Sequence, residues 1–219
     1  MEYIVKILTI RTETHDVKRF FLEKPLGFQF VPGHSLMISI NTPELKNEKR
    51  EFSMTSLNDD KILEFAIKRY DNHNGITKKL HALKAGDELI LSDIFGSIRY
   101  KNPGIWIAAG AGITPFLAIF RQLEKDNKLE GNILLFSNKE HKDIICEREL
   151  NLIFKDKCIF TLTRESKEGY ENSRIDIEFL KKHIKDFNQD FYVCGPDEFV
   201  NSIKKALAEM KAKTHILAF

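Results

Sequence analysis

Two glycines follow an apolar run in the second half of the chain and stand directly before residues suited to start a helix. The apolar run covers residues 105–109, Gly110 and Gly112 follow it, and Thr114 and Pro115 suit the N-cap and the first helical position. Glycine lets the backbone approach a ligand closely, and a helix N-terminus offers free N–H groups to a phosphate. We therefore predict a dinucleotide-binding turn, with an ordinary tight turn as the alternative, because Pro115 replaces the third glycine of the G-x-G-x-x-G fingerprint.

A second turn of this kind follows the apolar residues 191–193. Cys194 and Gly195 stand at the end of that predicted strand, and Pro196 comes directly after them. Open α/β sheets bind their ligands at the carboxyl ends of their strands, which makes this turn a candidate for the same site. The alternative for Cys194 is a small buried apolar side chain.

A third candidate lies in the first half of the chain, where residues 50–53 read Arg-Glu-Phe-Ser. In a strand, Arg50 and Phe52 lie on one side and Glu51 and Ser53 on the other. An arginine beside an aromatic ring suits a phosphate attached to a flat ring system, whereas an edge strand with a surface arginine is the simpler alternative. Further on, residues 75–77 begin a predicted short helix and offer a second phosphate site.

The pattern of predicted secondary structure that must position these residues changes near residue 101. Before it, short β-prone runs alternate with turn residues, which predicts a small antiparallel barrel or sandwich with one helical insert near residues 77–83. After it, apolar strands alternate with helical patterns, which predicts a parallel sheet covered on both faces. We therefore expect two domains, residues 1–101 and 102–219.

Composition excludes several classes of function. The 34 basic and 32 acidic residues are balanced, which argues against nucleic acid or a membrane as partner. Three cysteines without C-x-x-C spacing and seven scattered histidines argue against a zinc site or a plant-type iron–sulfur cluster, so no metal is expected. The short, charged N-terminal segment and the lack of a long apolar run predict a cytoplasmic protein.

The order of these motifs resembles the ferredoxin–NADP reductase family, and within it the bacterial stand-alone flavodoxin and ferredoxin reductases, over essentially the whole chain. Residues 31–34 (V-P-G-H) resemble the family's F-x-P-G-Q turn, and residues 50–53 match its R-x-[YF]-[ST] flavin motif. Residues 75–77 resemble a shortened G-x-x-[ST] motif. Residues 110–115 correspond to G-x-G-x-[TA]-P and residues 194–196 to C-G-P.

The resemblance implies a six-stranded antiparallel β-barrel that binds flavin, followed by an NAD(P)-binding α/β domain with a parallel sheet. FAD is the expected flavin, with FMN open. The implied flavin-binding residues are Arg50, Glu51, Phe52, Ser53, Ile67, Lys68, Arg69, Gly75, Ile76 and Thr77. Those implied for the nicotinamide nucleotide are Gly110, Ala111, Gly112, Thr114, Pro115, Lys139, Arg164, Arg174, Cys194, Gly195 and Pro196. The catalytic residues are then Ser53 near flavin N5, Thr114 and Cys194 beside the nicotinamide, and Phe219 over the flavin.

The choice between NADPH and NADH depends on three cations. Lys139, Arg164 and Arg174 follow two predicted strands of the second domain and suit the 2′-phosphate of NADPH, which we favour, although solvated loop charges are the alternative and NADH stays open. The chain departs from the family's pattern at His34, where glutamine is usual, at Phe52, where tyrosine is commoner, and at its end, which lacks a carboxylate side chain.

The predicted function is a flavin-dependent oxidoreductase that moves hydride from NAD(P)H to FAD and electrons onward to a separate carrier, flavodoxin or ferredoxin. One alternative is the reductase component of a multi-component oxygenase, and another is a non-catalytic, nucleotide-binding electron-transfer subunit. Since such carriers are usually acidic, a docking patch would use the barrel's cations, with ordinary solvated surface charges as the alternative. These are Lys46, Lys49, Lys68, Arg69, Lys78 and Lys79.

Overall fold

The structure, a computed structural model, describes residues 2–71, 75–96, 98–212 and 216–218. It divides into two compact units. The first, here called the barrel unit, contains the residues up to 99 together with 114–122, and the second, the sheet unit, contains 100–113 and the residues from 123 onward. The expected boundary near residue 101 assigns residues 114–122 to the second domain, whereas their packing places them with the barrel.

Six antiparallel strands of the described residues form the barrel unit, as predicted. They are β1 (Tyr3–Thr12), β2 (Val17–Glu23), β3 (His34–Ile40), β4 (Arg50–Ser53), β5 (Ile62–Lys68) and β6 (Glu88–Gly96). Their order in the sheet is β4-β3-β6-β1-β2-β5. The two edges approach each other just beyond β4, where the Thr55 amide donates to the Glu64 carbonyl oxygen at 2.8 Å. Alternating apolar side chains such as Val5, Ile7, Leu36 and Ile38 point inward and fill the core.

A short helix, α1 (Ile76–His81), lies between β5 and β6 in the sequence. Ile76 and Leu80 are buried against the barrel core. The helix begins after Gly75, whose extended backbone forms the N-cap, so it starts one residue earlier than predicted. At its other end, His81 Nε2 lies 2.7 Å from the Ile67 carbonyl oxygen and links the helix to the end of β5.

Five parallel strands of the described residues form the sheet unit, which confirms the predicted α/β class. They are β7 (Gly104–Ala109), β8 (Ile133–Asn138), β9 (Cys158–Leu162), β10 (Asp190–Cys194) and β11 (Ile216–Ala218), in the order β11-β10-β7-β8-β9. The helices α3 (Glu147–Phe154), α4 (Ile177–His183) and α5 (Asp197–Glu209) belong to this unit, whereas α2 (Thr114–Lys125) follows β7 in the chain and lies mostly in the barrel unit. Short 3-10 turns cover Gly110–Ile113, His141–Asp143 and Lys155–Lys157. Strands β7 and β8 are almost entirely buried because neighbouring elements cover both sides of a parallel sheet.

A buried aromatic stack stabilises the centre of this sheet. Trp106 of β7 and Tyr192 of β10 are fully buried and stack with ring centroids 3.9 Å apart. Trp106 Nε1 donates to Asn132 Oδ1 at 2.8 Å, and the Tyr192 hydroxyl donates to the Asn102 carbonyl oxygen at 2.9 Å. The polar edges of both rings are therefore satisfied inside the core.

Candidate functional site

The turns after β7 and β10 touch each other in the sheet unit. Because β7 and β10 are parallel neighbours, with Ala108 opposite Cys194, their carboxyl ends meet at one edge. A Cβ at Gly112 would lie 2.4 Å from the Cys194 carbonyl oxygen and 2.7 Å from the Gly195 Cα. Only glycine permits this approach. The structure thus brings together two turns that the sequence places more than eighty residues apart.

The turn after β7 differs locally from the prediction. Residues Gly110–Ile113 form a 3-10 helix that continues directly into α2, and Thr114 is the first α2 residue rather than its N-cap. Gly110 takes a left-handed conformation with φ of +52°, which lets the chain leave the strand and turn at once. The predicted loop is therefore a compact turn. Pro115 is buried inside the first turn of the helix.

Cys194 at the other turn is half-buried and forms no disulfide bond. Gly195 packs closely as well, because a Cβ there would meet Phe199 Cδ1 at 2.8 Å and Ala109 Cβ at 3.1 Å. Pro196 is exposed and forms the N-cap of α5. This turn is held from both sides, by the β7 turn and by α5.

The three predicted 2′-phosphate cations are exposed and follow β8 and β9. Lys139 and Arg164 lie side by side, because the Arg164 amide donates to the Lys139 carbonyl oxygen at 2.8 Å. Arg174 is next to Ser173, whose amide donates to Thr161 Oγ1 at 3.2 Å near the end of β9. The fold therefore gathers these cations at the β8–β9 part of the carboxyl edge.

A buried amide at the same edge escaped the sequence analysis. Asn138 ends β8 and is 5% exposed, and neither its Oδ1 nor its Nδ2 has a hydrogen-bond partner among the described residues. Its carbonyl oxygen accepts from the Thr163 amide at 2.9 Å. Two polar residues, Ser137 and Asn138, at the end of an apolar run were the available signal. Its amide has spare donor and acceptor capacity, so it suits a polar group of a nucleotide or a water.

The predicted flavin motif forms strand β4 of the barrel unit. Arg50 is exposed, and its Nη1 donates to the Lys49 carbonyl oxygen at 2.8 Å. Phe52 is half-buried and packs against the barrel core, and Ser53 Oγ lies 3.1 Å from Ser35 Oγ on β3. Glu51 is exposed. A cationic group, an aromatic ring and a hydroxyl thus follow one another along a single edge strand.

The predicted backbone contacts at the end of β5 belong to an ion-paired region. Ile67 is buried, and Lys68 Nζ lies 2.8 Å from Asp16 Oδ2. Arg69 Nε lies 2.8 Å from Asp71 Oδ1. Because their charges are partly neutralised, these residues are better suited to backbone contacts than to holding a phosphate.

The remaining predicted flavin residues lie at the start of α1. Gly75 is the N-cap and offers no side-chain hydrogen bond to the helix, Ile76 is buried and Thr77 is half-buried. Phe219, the predicted cover of the flavin, lies outside the described residues.

The predicted docking patch is largely neutralised in the structure. Lys49 pairs with Glu2 at 2.8 Å, and Lys79 pairs with Glu48 at 3.2 Å. Together with the pairs of Lys68 and Arg69, four of the six cations face a carboxylate. A strongly positive docking surface therefore does not emerge from these residues.

A buried ionic network in the barrel unit was also missed. Glu64 of β5 is 7% exposed and accepts hydrogen bonds from Arg19, Thr55 and Arg121, the last of which lies on α2. No local sequence pattern marks it, because its members are far apart in the chain.

Comparisons with known proteins agree with this geometry. Residues 106–205 match the family of oxidoreductase NAD-binding domains. The chain is 23% identical to NADH-cytochrome b5 reductase 2 of Mus musculus, over 100% of this chain and 94% of that protein. It is 27% identical to a flavohemoprotein of Bacillus cereus, over 92% of this chain and 56% of that protein. The chain therefore spans little more than half the length of some curated relatives.

Solved structures with the same fold include a ferredoxin NADP+ reductase from Neisseria gonorrhoeae with bound FAD and NADP. It superimposes with a TM-score of 0.86 at 18% identity, over 99% of this chain and 98% of that one. The resemblance to the ferredoxin–NADP reductase family predicted from the motifs is confirmed, and so is the two-part fold.

No helix among the described residues has the length and apolar character needed to cross a bilayer.

Proposed function

We propose that this chain is a flavin-dependent NAD(P)H oxidoreductase that passes electrons to a separate acceptor. The observation that carries the proposal is the contact between the two strand-end turns at Gly112 and Cys194, in a chain that also folds a six-stranded barrel. Such a turn pair at the carboxyl edge of a parallel sheet suits a nucleotide. The match to oxidoreductase NAD-binding domains supports the same assignment.

The barrel residues fit a flavin nucleotide, and FAD is the form we propose. Arg50 is exposed and uses one Nη1 hydrogen bond to a neighbouring carbonyl, which leaves further N–H donors in its guanidinium group for a pyrophosphate. Phe52 presents a partly exposed ring, and Ser53 Oγ offers a hydroxyl at the end of the strand. When bound, the flavin accepts hydride from NAD(P)H and passes the electrons on singly.

The chain's own groups at and after the β7 and β10 turns would hold and orient the nicotinamide nucleotide. Gly110, Ala111 and Gly112 keep the turn free of bulky side chains, so the dinucleotide can approach the backbone. Thr114 and Cys194 supply the hydroxyl and thiol proposed to flank the nicotinamide. Their role is alignment, since the hydride moves between the two cofactors.

We propose NADPH as the preferred donor. An enzyme specific for NADH uses an acidic residue near the ribose 2′-hydroxyl. The acidic residue after β8, Glu140, is already engaged, because it caps the His141–Asp143 turn and lies 2.6 Å from Lys142 Nζ. Lys139 and Arg164 beside it are exposed and available to a phosphate.

The acceptor we propose is a separate electron carrier such as flavodoxin or ferredoxin. The proteins similar to this chain include a cytochrome b5 reductase, a flavohemoprotein and the reductase component of a naphthalene dioxygenase system of Pseudomonas putida, which supports a separate acceptor whose identity varies. The neutralised cations of the barrel indicate docking that depends only weakly on salt. We place the enzyme in the cytoplasm, because its three cysteines, all among the described residues, form no disulfide bond.

The first test uses purified protein that has been loaded with FAD. It is titrated anaerobically with NADPH, and a separate sample with NADH, while the absorption spectrum is recorded. We expect a flavin spectrum that bleaches with either donor and faster with NADPH. A protein that binds neither FAD nor FMN would refute the proposal and favour the non-catalytic nucleotide-binding subunit.

The donor preference has its own test. Replacing both Arg164 and Arg174 with alanine is expected to raise the Michaelis constant for NADPH by about tenfold or more and to leave that for NADH within about twofold. The matched control is Lys155→Ala, an exposed cation at the far end of α3. Equal effects on both donors would contradict the assignment of these arginines.

A further inference from the structure

The ionic network around Glu64 joins β5 to three other segments of the barrel unit. Arg19 on β2 donates from Nη2 to Glu64 Oε2 at 2.8 Å and from Nε to Oε1 at 3.2 Å. Thr55 Oγ1 donates to Oε1 at 2.8 Å, and Arg121 Nη1 donates to the same oxygen at 3.1 Å. Arg121 Nη1 also donates to the Thr55 carbonyl oxygen at 2.6 Å.

This carboxylate stays ionised because its partners compensate for burial. Burial alone would raise the pKa of Glu64, but the charges of Arg121 and Arg19 and the hydrogen bonds from Arg19 and Thr55 outweigh it and hold the pKa below its ordinary value. A buried carboxylate between two guanidinium groups is a rigid junction, since each lost partner leaves an uncompensated charge.

The segments joined here are those that lead to the proposed cofactor residues. Thr55 follows the flavin motif by two residues, whereas Arg121 lies two helical turns after Thr114 on the same helix. The helix is seated on the barrel at a second point, because a Cβ at Gly33 would lie 3.0 Å from Ile119 Cδ1. The Arg121 contact therefore fixes the helix along its length and in rotation.

We propose that Arg121 and Glu64 are positioning residues for hydride transfer: they hold α2, and with it Thr114 and Pro115, in fixed register with the strand that carries the flavin motif. The inference rests on the proposed function. Neither residue touches a cofactor. They act by setting where the first turn of α2 lies, and a displacement of about 1 Å in such a group slows a reaction about a hundredfold.

The test compares two arginines that share one carboxylate. Arg121→Gln removes the ion pair between α2 and Glu64. Arg19→Gln removes the other arginine from Glu64 but leaves the pair between α2 and Glu64 in place. Both variants lose an ion pair to the same buried group, so a general loss of stability affects both. Only the first is expected to slow flavin reduction by saturating NADPH in anaerobic stopped flow, by at least about tenfold, with Arg19→Gln within about twofold of the parent.

Two further readouts separate positioning from damage to the fold. Reoxidation of chemically reduced protein by ferricyanide is expected to be unchanged in both variants, because that step needs no nicotinamide. Hydrogen exchange at the amides of residues 116–122 is expected to quicken in Arg121→Gln and not in Arg19→Gln. Arg121→Lys, which keeps the charge, is expected to recover part of the reduction rate.

The outcomes distinguish the two proposals. If the parent protein binds flavin but NAD(P)H does not reduce it, the proposed function fails. If the parent is reduced and the two glutamine variants are slowed equally, or neither is slowed, the positioning role is refuted. If Arg121→Gln does not fold, Arg121→Lys takes its place in the comparison. The positioning role is then refuted if Arg121→Lys and Arg19→Gln show the same rate of flavin reduction and the same hydrogen exchange at residues 116–122.

Discussion

Replacing Gly112 with alanine tests whether the two strand-end turns of the sheet unit must touch. The new Cβ would lie 2.4 Å from the Cys194 carbonyl oxygen, and Cβ atoms essentially never approach a heavy atom more closely than 3.0 Å. The turns must therefore separate by at least about 0.6 Å. Backbone atoms lie on both sides of this contact, so no flexible side chain can absorb the shift.

Two measurable effects follow from this displacement. Overpacking a well-packed site costs about 1–3 kcal/mol, so we expect the free energy of unfolding in urea to fall by that amount. A shift of this size in a cofactor-aligning turn is expected to lower the rate constant of flavin reduction by NADPH about 10- to 100-fold, measured anaerobically by stopped flow.

The neighbouring glycine provides the control for stability. Gly110 has a φ of +52°, which asparagine tolerates, and a Cβ there meets no atom within 4 Å. Gly110→Asn is therefore expected to keep the free energy of unfolding within about 0.5 kcal/mol of the parent. If Gly112→Ala is as stable as Gly110→Asn and reduces its flavin at the parent rate, the contact between the turns does not constrain the site and the reasoning is wrong.

Three other predictions concern flavin retention, core stability and pH. Arg50→Ala is expected to weaken FAD binding at least about tenfold in a fluorescence titration, whereas Lys46→Ala should not; a variant that purifies fully loaded would contradict the pyrophosphate role. Asn132→Ala removes the acceptor of the buried Trp106 N–H and is expected to cost about 1–3 kcal/mol in urea unfolding, and an unchanged midpoint would show that water replaces the amide. Burial lowers the pKa of His81 below 6.5, and this effect outweighs the hydrogen bond to the Ile67 carbonyl oxygen, which acts in the opposite direction. The unfolded chain therefore binds a proton more readily than the folded protein does. The free energy of unfolding should thus fall as pH is lowered from about 6.5, and less so in His81→Gln.

Local sequence patterns predict much of the fold. The change from β-prone runs to alternating strands and helices predicted the antiparallel barrel and the parallel sheet, because side-chain periodicity decides which face of an element is buried. The glycines at residues 110 and 112 and at 195 marked the strand-end turns, because few other residues permit such backbone geometry. The motifs in order were enough to predict the ferredoxin–NADP reductase resemblance.

The tertiary structure decided what depends on residues far apart in the chain. Helix α2 packs with the barrel unit through Arg121 and Glu64, which are 57 residues apart, and no local pattern encodes that pairing. The predicted docking cations are mostly paired with carboxylates that only folding brings near. Periodicity and turn residues act over a few neighbouring residues, whereas burial and charge pairing depend on where distant segments meet. The sequence by itself therefore determined the kinds of elements and the candidate turns, and the tertiary packing determined which charges are compensated and which helix is held to which strand.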